Sequence, residues 1–327
     1  MKKSVLLVGL LFMLSLLTGC VSSGSPSNTA TQEKMPEKIT IQVPTGPPTA
    51  PLLKMAEGKP LGEKVQIELI PYKTVEEATA RVVKGEADYT ILPINTAAKL
   101  YNKGIDISLD NVSTWGILYL LSTDQGISQW QDLKGKEVYV GAQGASPDII
   151  ARYLMEKNNI KTTDVTLKYG NSPEIAQMMI QGMVKTAVLP EPMVTQVLNK
   201  NQSAKVILDF HKEWQLAENN SNLPQTGMVV QNKFVKEYPA AISKIRTAYQ
   251  EALEQTVADP ASVSALMEEN FNIPGPIFVK SMERTNLKFV IAEDAKTDVE
   301  NYLAKLLSFS PDMVGGELPD EKFYLAK

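Results

Sequence analysis

The stretch that most narrows the fold runs from residue 132 to 154: Asp132-Leu-Lys-Gly-Lys-Glu-Val-Tyr-Val-Gly-Ala-Gln-Gly-Ala-Ser-Pro-Asp-Ile-Ile-Ala-Arg-Tyr-Leu154. Glu137 to Val140 alternate polar and apolar, as a short strand does. Gly141 to Ala145 form a loop of small residues. Ser146-Pro147-Asp148 then has the chemistry of a helix start: serine suits the N-cap, proline the first helical position, aspartate the first turn. Ile149, Ile150, Tyr153 and Leu154 follow at helical spacing. A strand feeding a glycine loop and a helix N-terminus leaves backbone N–H groups for a carboxylate, a sulfonate or another polar head group. A βα turn that binds nothing has the same signature, and the stretch alone does not separate the two.

The same unit recurs. Ile39 to Val43 alternates as a strand, Pro44 to Thr49 is a loop, and an apolar helical run follows to Gly58. Val65 to Ile70 and Ala87 to Leu92 are further strands. Thr74-Val-Glu-Glu77 is a capping box, with Val75, Ala78, Val82 and Val83 on one face and Gly85 as the stop. Pro93 to Thr96 closes a strand before a helix at Ala97 to Asn102. A strand is expected near Asn111 to Leu121. After residue 132 come strands at Val165 to Lys168, Thr186 to Leu189, Lys205 to Leu208 and Gly227 to Gln231. Ser172-Pro173-Glu174 opens a helix as Ser146-Pro147-Asp148 does, with Ile175, Met178, Met179 and Met183 as core filler. A long helix is expected from Pro239 to Val257 and a last amphipathic helix from Thr297 to Leu307. The tail is set to pack back through Phe323 and Tyr324. This alternation predicts α/β architecture with mostly parallel sheets flanked by helices.

At 327 residues the chain has room for two domains, and its 43% hydrophobic content supports buried cores. A net charge of −4 argues against a nucleic-acid-binding surface. Lys2 and Lys3 followed by apolar Val5 to Leu17 read as a signal peptide, too short for an ordinary spanning helix. It ends in Leu17-Thr18-Gly19-Cys20, which resembles the bacterial lipobox. Residues 1–19 are therefore expected to be removed, with Cys20 lipidated, and 20–37 to be a flexible tether. Losing the two lysines moves the formal balance from −4 to −6. Cys20 is the only cysteine, so an internal disulfide is excluded.

Several weak motifs stand in a telling order. Asp132-Leu-Lys-Gly-Lys136 resembles the opening of the second lobe in type II periplasmic-type binding proteins. Leu189-Pro-Glu-Pro192 resembles a turn of the nitrate, sulfonate, taurine and thiamine-precursor group. Lys236-Glu-Tyr-Pro239 before a long helix resembles that group's return segment. The likeness spans roughly residues 38 to 310. It implies the solute-binding component of an ABC importer, partnered by a permease and its ATPase subunits and lipid-anchored on the extracytoplasmic face. It also implies a monomer without cofactor, with two lobes and a cleft between them. The crossovers are expected near Leu121-Ser122 and Asn222-Leu223. Lobe I would then be 38–121 plus 224–327, and lobe II 122–223. Ligands of such sheets bind beyond the carboxyl ends of strands, and two facing lobes can close on one solute.

On that basis the candidate ligand residues are Thr45, Gly46, Thr49, Asn95, Thr96, Trp115, Gln143, Gly144, Ala145, Ser146, Asn171 and Glu191. Each has a plainer reading. Thr45 and Thr49 serve turn chemistry, Asn95 and Ser146 cap helices, and Trp115 and Tyr119 pack in a core. Glu191 either accepts from an amine or ring N–H or favours a helix N-terminus. Ser172 and Tyr72, just past strands, belong to the same set. The single histidine, His211, reads as a surface or capping residue, and no G-x-S-x-G, HExxH, CxxC, EF-hand or P-loop is present. Catalysis and a metal site therefore have little to build on. An enzyme of the same two-lobe fold, like the pyrimidine-precursor synthases that the group also resembles, and a sensor using the same cleft are the alternatives. The candidate loops hold almost no Arg or Lys. The solute suggested is a sulfonate or taurine-like zwitterion, or a thiamine-precursor-like pyrimidine.

Overall fold

In the first strand, β1 (Lys38–Pro44), the alternating Ile39, Ile41 and Val43 are all fully buried. The computed structural model describes residues 34–141 and 143–327. The signal peptide, Cys20 and most of the tether lie outside them. The remaining strands are β2 (Gln66–Tyr72), β3 (Tyr89–Pro93), β4 (Ile107–Thr114), β5 (Leu118–Ser122), β6 (Glu137–Gly141), β7 (Thr166–Gly170), β8 (Thr186–Pro190), β9 (Lys205–Asp209), β10 (Thr226–Gln231) and β11 (Leu287–Ile291).

These strands make two sheets. The six-stranded sheet has the order β11-β4-β10-β3-β1-β2, and the five-stranded sheet β7-β6-β8-β5-β9. Strands joined through helices run parallel, β1 with β2 and β3, β6 with β7 and β8. Strands placed after a change of sheet run antiparallel: β10 to β3 and β4, β5 to β8 and β9. β11 is likewise antiparallel to β4. Each sheet is therefore mixed, where mostly parallel pairing was expected. The cause is topological, since a strand that returns from the other sheet enters from the opposite end.

The single strand expected near Asn111 to Leu121 is two strands in different sheets. Gly116, at φ 121, sits between them in backbone conformation that favours glycine. The change of sheet thus falls at residues 115–117, and Leu121 and Ser122 already pair with β8. The return lies between Asp209 and Thr226, after the helix Phe210–Ala217. There Asp298 accepts from Ser221 Oγ at 2.8 Å and from the Asn222 backbone N–H at 2.9 Å.

One apolar cluster runs continuously from the six-stranded to the five-stranded sheet. It joins Leu92, Ile94 and Val112 to Val138, Val140, Ile149 and Trp214 through Tyr302 and Leu303 of the helix Ala292–Phe309. The tail packs back as expected. Phe323 is fully buried, its ring 5.3 Å from that of Tyr101. Arg246 donates through Nε to buried Asp110 at 2.8 Å and through Nη1 to the carbonyl of Ala326 at 2.9 Å. A pair of charges thereby fixes the chain's last residues to β4.

Several local expectations change. Met183 lies beyond its helix, Ser172–Ile180, and is 62% exposed. Val83 faces solvent as well. β11 and the helix Gly275–Met282 were not foreseen. Thr74 does cap its helix, accepting from the Glu77 N–H at 3.2 Å, and Gly85 ends it at φ 66.

Candidate functional site

The candidate residues gather at the carboxyl ends of parallel strands. Thr45, Gly46 and Thr49 follow β1, Asn95 and Thr96 follow β3, and residues 143 to 146 follow β6. Asn171 follows β7 and Glu191 follows β8. The two sheets meet along this seam.

Ser146 was expected to cap its helix. It is instead the first residue of the helix Ser146–Lys157, whose N-cap is Ala145 without a side-chain hydrogen bond. Its hydroxyl points across the seam and donates to Asn95 Oδ1 at 2.7 Å. Asn95 in turn donates through Nδ2 to the carbonyl of Met313 at 3.4 Å. The fully buried Tyr302 hydroxyl lies beside Ser146 without an aligned hydrogen-bond partner, and burial raises its pKa. Trp214 meets the Tyr302 ring edge-on at 5.7 Å, and its Nε1 is also buried without a partner.

The backbone at Gly144 is not open. Its N–H donates to Asp148 Oδ2 at 2.8 Å. Asp148 is fully buried and also accepts from Arg152 Nε at 2.9 Å, Arg152 Nη2 at 3.1 Å and the Tyr169 hydroxyl at 3.1 Å. The guanidinium of Arg152 stands 5.1 Å from the ring centroid of Phe309, which belongs to the helix that packs on β4. Gln143 and Gly144 are exposed, and Ala145 is half-buried.

Glu191 takes the second of its two readings. It is buried and accepts from the Thr195 N–H and the Thr195 hydroxyl, both at 3.0 Å, in the first turn of the helix Met193–Lys200. It also accepts from Arg284 Nε at 2.6 Å, and Arg284 Nη2 donates to Thr195 Oγ1 at 2.7 Å. Burial holds the Glu191 carboxyl above the ordinary carboxylate range, against the opposing pull of Thr195 and Arg284. Arg284 follows the helix Gly275–Met282, which packs on both Met193–Lys200 and the turn Pro47–Thr49.

In the first loop Thr49 is buried and its hydroxyl donates to the Pro44 carbonyl at 2.5 Å, so it holds the turn. Gly46 is buried, while Thr45 is exposed. Thr96 is half-buried and Asn171 exposed. Among the described residues the side chains of Thr45, Thr96, Gln143 and Asn171 have no protein hydrogen-bond partner. Tyr72 is buried and donates to the Ile91 carbonyl at 2.7 Å.

Trp115 belongs to the passage between the sheets. It is buried, with Nε1 donating to the Lys288 carbonyl at 2.8 Å and its N–H to that of Asn286 at 2.8 Å. Tyr119 donates to the Arg284 carbonyl at 2.6 Å. The Gln225 side chain of the return passage accepts from the Ile117 N–H at 2.5 Å. His211 is half-buried rather than on the surface. A Cβ added at Gly116 would sit 2.6 Å from His211 Cβ, and burial lowers the imidazole pKa. Sequence reasoning missed Arg284, Tyr302, Gln225 and the role of Asp148. Only Asp148 left a signal, an aspartate four residues before Arg152 on one helix.

Among the described residues no cluster of three or more His, Cys, Asp or Glu could hold a metal, and no helix is long and apolar enough to cross a membrane. The family model described as NMT1/THI5 like matches residues 62–263, more than half of the chain. A solved ABC transporter protein from Parabacteroides distasonis is 29% identical, with a TM-score of 0.78 over 89% of this chain and 100% of that one. The periplasmic aliphatic sulphonate binding protein SsuA from Escherichia coli is 17% identical, with a TM-score of 0.69 over 84% and 92%. A Candida albicans protein of the generic periplasmic binding protein fold is 11% identical, with a TM-score of 0.60 over 86% and 94%. Among curated proteins, none matches.

Proposed function

The chain belongs to the NMT1/THI5-like family, and on that premise we propose that it is the solute-binding lipoprotein of an ABC importer. It captures a small organic solute between the two sheets and delivers it to a permease. Cys20 carries the lipid that holds it on the extracytoplasmic face. The observation that carries this reading is the hydrogen bond from Ser146 to Asn95, which joins the two sheets at the carboxyl ends of their strands. That is where open α/β sheets bind ligands. The solute classes that fit the family likeness are a sulfonate or taurine-like molecule and a thiamine-precursor-like pyrimidine.

A receptor releases its solute unchanged, whereas an enzyme of this fold converts it. Mass spectrometry of small molecules that co-purify with the protein tests this directly. Intact solute is expected, and recovery of a converted product would sink the receptor reading. The anchor is tested apart from the cleft. Cys20→Ala should leave the membrane fraction, and a variant retained there as firmly as the parent would show that the cysteine is not the attachment point.

A further inference from the structure

Past the helix Phe210–Ala217 the chain turns back toward the six-stranded sheet. Asn219 and Asn220 make that turn in the left-handed region, at φ 52 and 66, which asparagine tolerates better than most residues. Just before them stands Glu218, its side chain only 7% exposed. Its two oxygens are divided between two helices. Oε1 accepts from the Tyr153 hydroxyl and lies 3.2 Å from Lys157 Nζ, both on the helix Ser146–Lys157 of the five-stranded half. Oε2 lies 3.2 Å from Lys305 Nζ, on the helix Ala292–Phe309 that packs on β4 of the six-stranded sheet.

A carboxylate taken out of water is costly unless it is paired and hydrogen-bonded. Burial pulls the Glu218 pKa up, and the hydrogen bonds from Tyr153, Lys305 and Lys157 outweigh it and hold the carboxyl below its ordinary range. The packing beside it has the same three-way form. Tyr153, Trp214 and Tyr302 contribute one ring from each of the three helices, with neighbouring centroids 5.3 and 5.7 Å apart. On the helix Ala292–Phe309, Asp298, Asn301 and Lys305 share one face at helical spacing, and the first two hold Ser221 and Asn222 of the same turn. The helix Ser146–Lys157 has 12 residues, so Lys157 lies about 16 Å along it from Ser146 and the seam.

We infer that the Glu218 carboxylate is a charged tie between the two halves, holding the helix Ser146–Lys157 to the helix Ala292–Phe309 at the end remote from the seam. An exposed ion pair would contribute little, because water and salt screen it. Here the acceptor is buried and gives one oxygen to each half, so the loss of either end frees the helices from each other. With the far ends held, any change in how the sheets are placed is confined to the seam. The inference stands on this joint alone and holds for a receptor and for an enzyme alike.

The test is the separation across this joint, read by pulsed electron paramagnetic resonance on the full chain. Cys20→Ala removes the native thiol, and Lys161→Cys and Thr297→Cys place spin labels at exposed positions on either side. Lys305→Met cuts the tie at one end, and Tyr153→Phe with Lys157→Met cuts it at the other. Each should lengthen and broaden the parent's distribution of separations. All three substitutions together should do no more than either set, since a tie cut at one end is already cut. The side chains of Lys305 and Lys157 are 33 and 42% exposed, so the fold should survive their replacement, which circular dichroism checks. Should one set misfold, the other decides. Separations that stay at the parent's value in the folded variants would overturn the inference. Effects that add would overturn it as well, since they mark two independent contacts in place of one tie.

Discussion

Two buried carboxylate–guanidinium pairs stand in this protein with almost the same geometry and different placement. Asp110 and Arg246 meet at 2.8 Å, Glu191 and Arg284 at 2.6 Å. Both carboxylates are completely buried. The first pair lies within one half of the molecule, joining β4 to the helix Pro239–Ala258 and to the carbonyls of the tail. The second joins the strand end after β8, in the five-stranded sheet, to the segment leading into β11 of the six-stranded sheet. In the first, every partner lies on the side of the six-stranded sheet, so the pair acts on global stability. In the second, the partners belong to different sheets, so the pair also acts on how these are joined. Burial raises the pKa of both carboxyls, against the opposing pull of Arg246 and Arg284.

The largest effect is expected from Arg246→Ala. It leaves Asp110 buried without its partner and unties the tail, at a cost of about 3–5 kcal/mol. Urea unfolding should show that loss, while small-angle scattering of the folded fraction stays that of the parent. A scattering change as large as that of a seam variant would erase the distinction between the two pairs.

Next comes the passage between the sheets. Gly116→Ala places a Cβ 2.6 Å from that of His211 in a backbone region that favours glycine. It should cost roughly 2–3 kcal/mol. Adding His211→Gly should return part of this loss and leave the backbone share. Full recovery would mean that only the clash matters at this glycine, and no recovery that the clash contributes nothing.

For the pair across the seam, pH gives the sharper test. The Glu191 carboxyl is raised in the folded protein, so the fold holds the proton more tightly than the unfolded chain does. The stabilisation from that proton is complete below the ordinary carboxylate value. It is lost as pH rises through the raised folded value. Glu191→Gln cannot lose it. Melting curves between about pH 4 and 8 should therefore show the parent falling relative to Glu191→Gln across that window. A difference independent of pH would mean that Glu191 does not titrate in this range.

The smallest effect belongs to Ser146→Ala. One cross-seam hydrogen bond is worth about 1 kcal/mol. The melting temperature should barely move, while the scattering radius without solute rises if this contact holds the sheets together. An unchanged radius would assign that task to the Glu191–Arg284 pair.

Much of the fold was legible because alternation and glycine loops are local signals. β1, β3, β6 and β8 carry their buried residues in the sequence pattern itself, and the helix starts follow from proline, serine and acid. The break at Gly116 was harder. Residues 107 to 122 are almost continuously buried, and periodicity cannot show that such a run belongs to two sheets. The candidate site was legible only as positions. That residues 143 to 146 and 191 stand at strand ends follows from the chain, and Ser146 does cross the seam. That Glu191 is already engaged does not follow, because its partner Arg284 lies 93 residues away on an element with no strong pattern. Trp115 shows the same limit. Its ring N–H is taken by a backbone carbonyl 173 residues away.

The order of strands in the larger sheet constrains how the chain can assemble. β10 lies between β3 and β4, although it is made more than a hundred residues after them. The smaller sheet is contiguous, since β5 to β9 follow one another without interruption. As the chain becomes available from its N-terminal side, the smaller sheet can complete itself while β4 still has no neighbour on either side. The late strand must then enter the middle of the larger sheet, with β11 closing its edge. Domains made of contiguous chain can fold as they are synthesised, whereas a pairing that waits for a distant strand leaves edges open in the meantime. The unfinished half of this protein thus exposes the facing flanks of β3 and β4 until residue 231 is available, and the outer flank of β4 until residue 291.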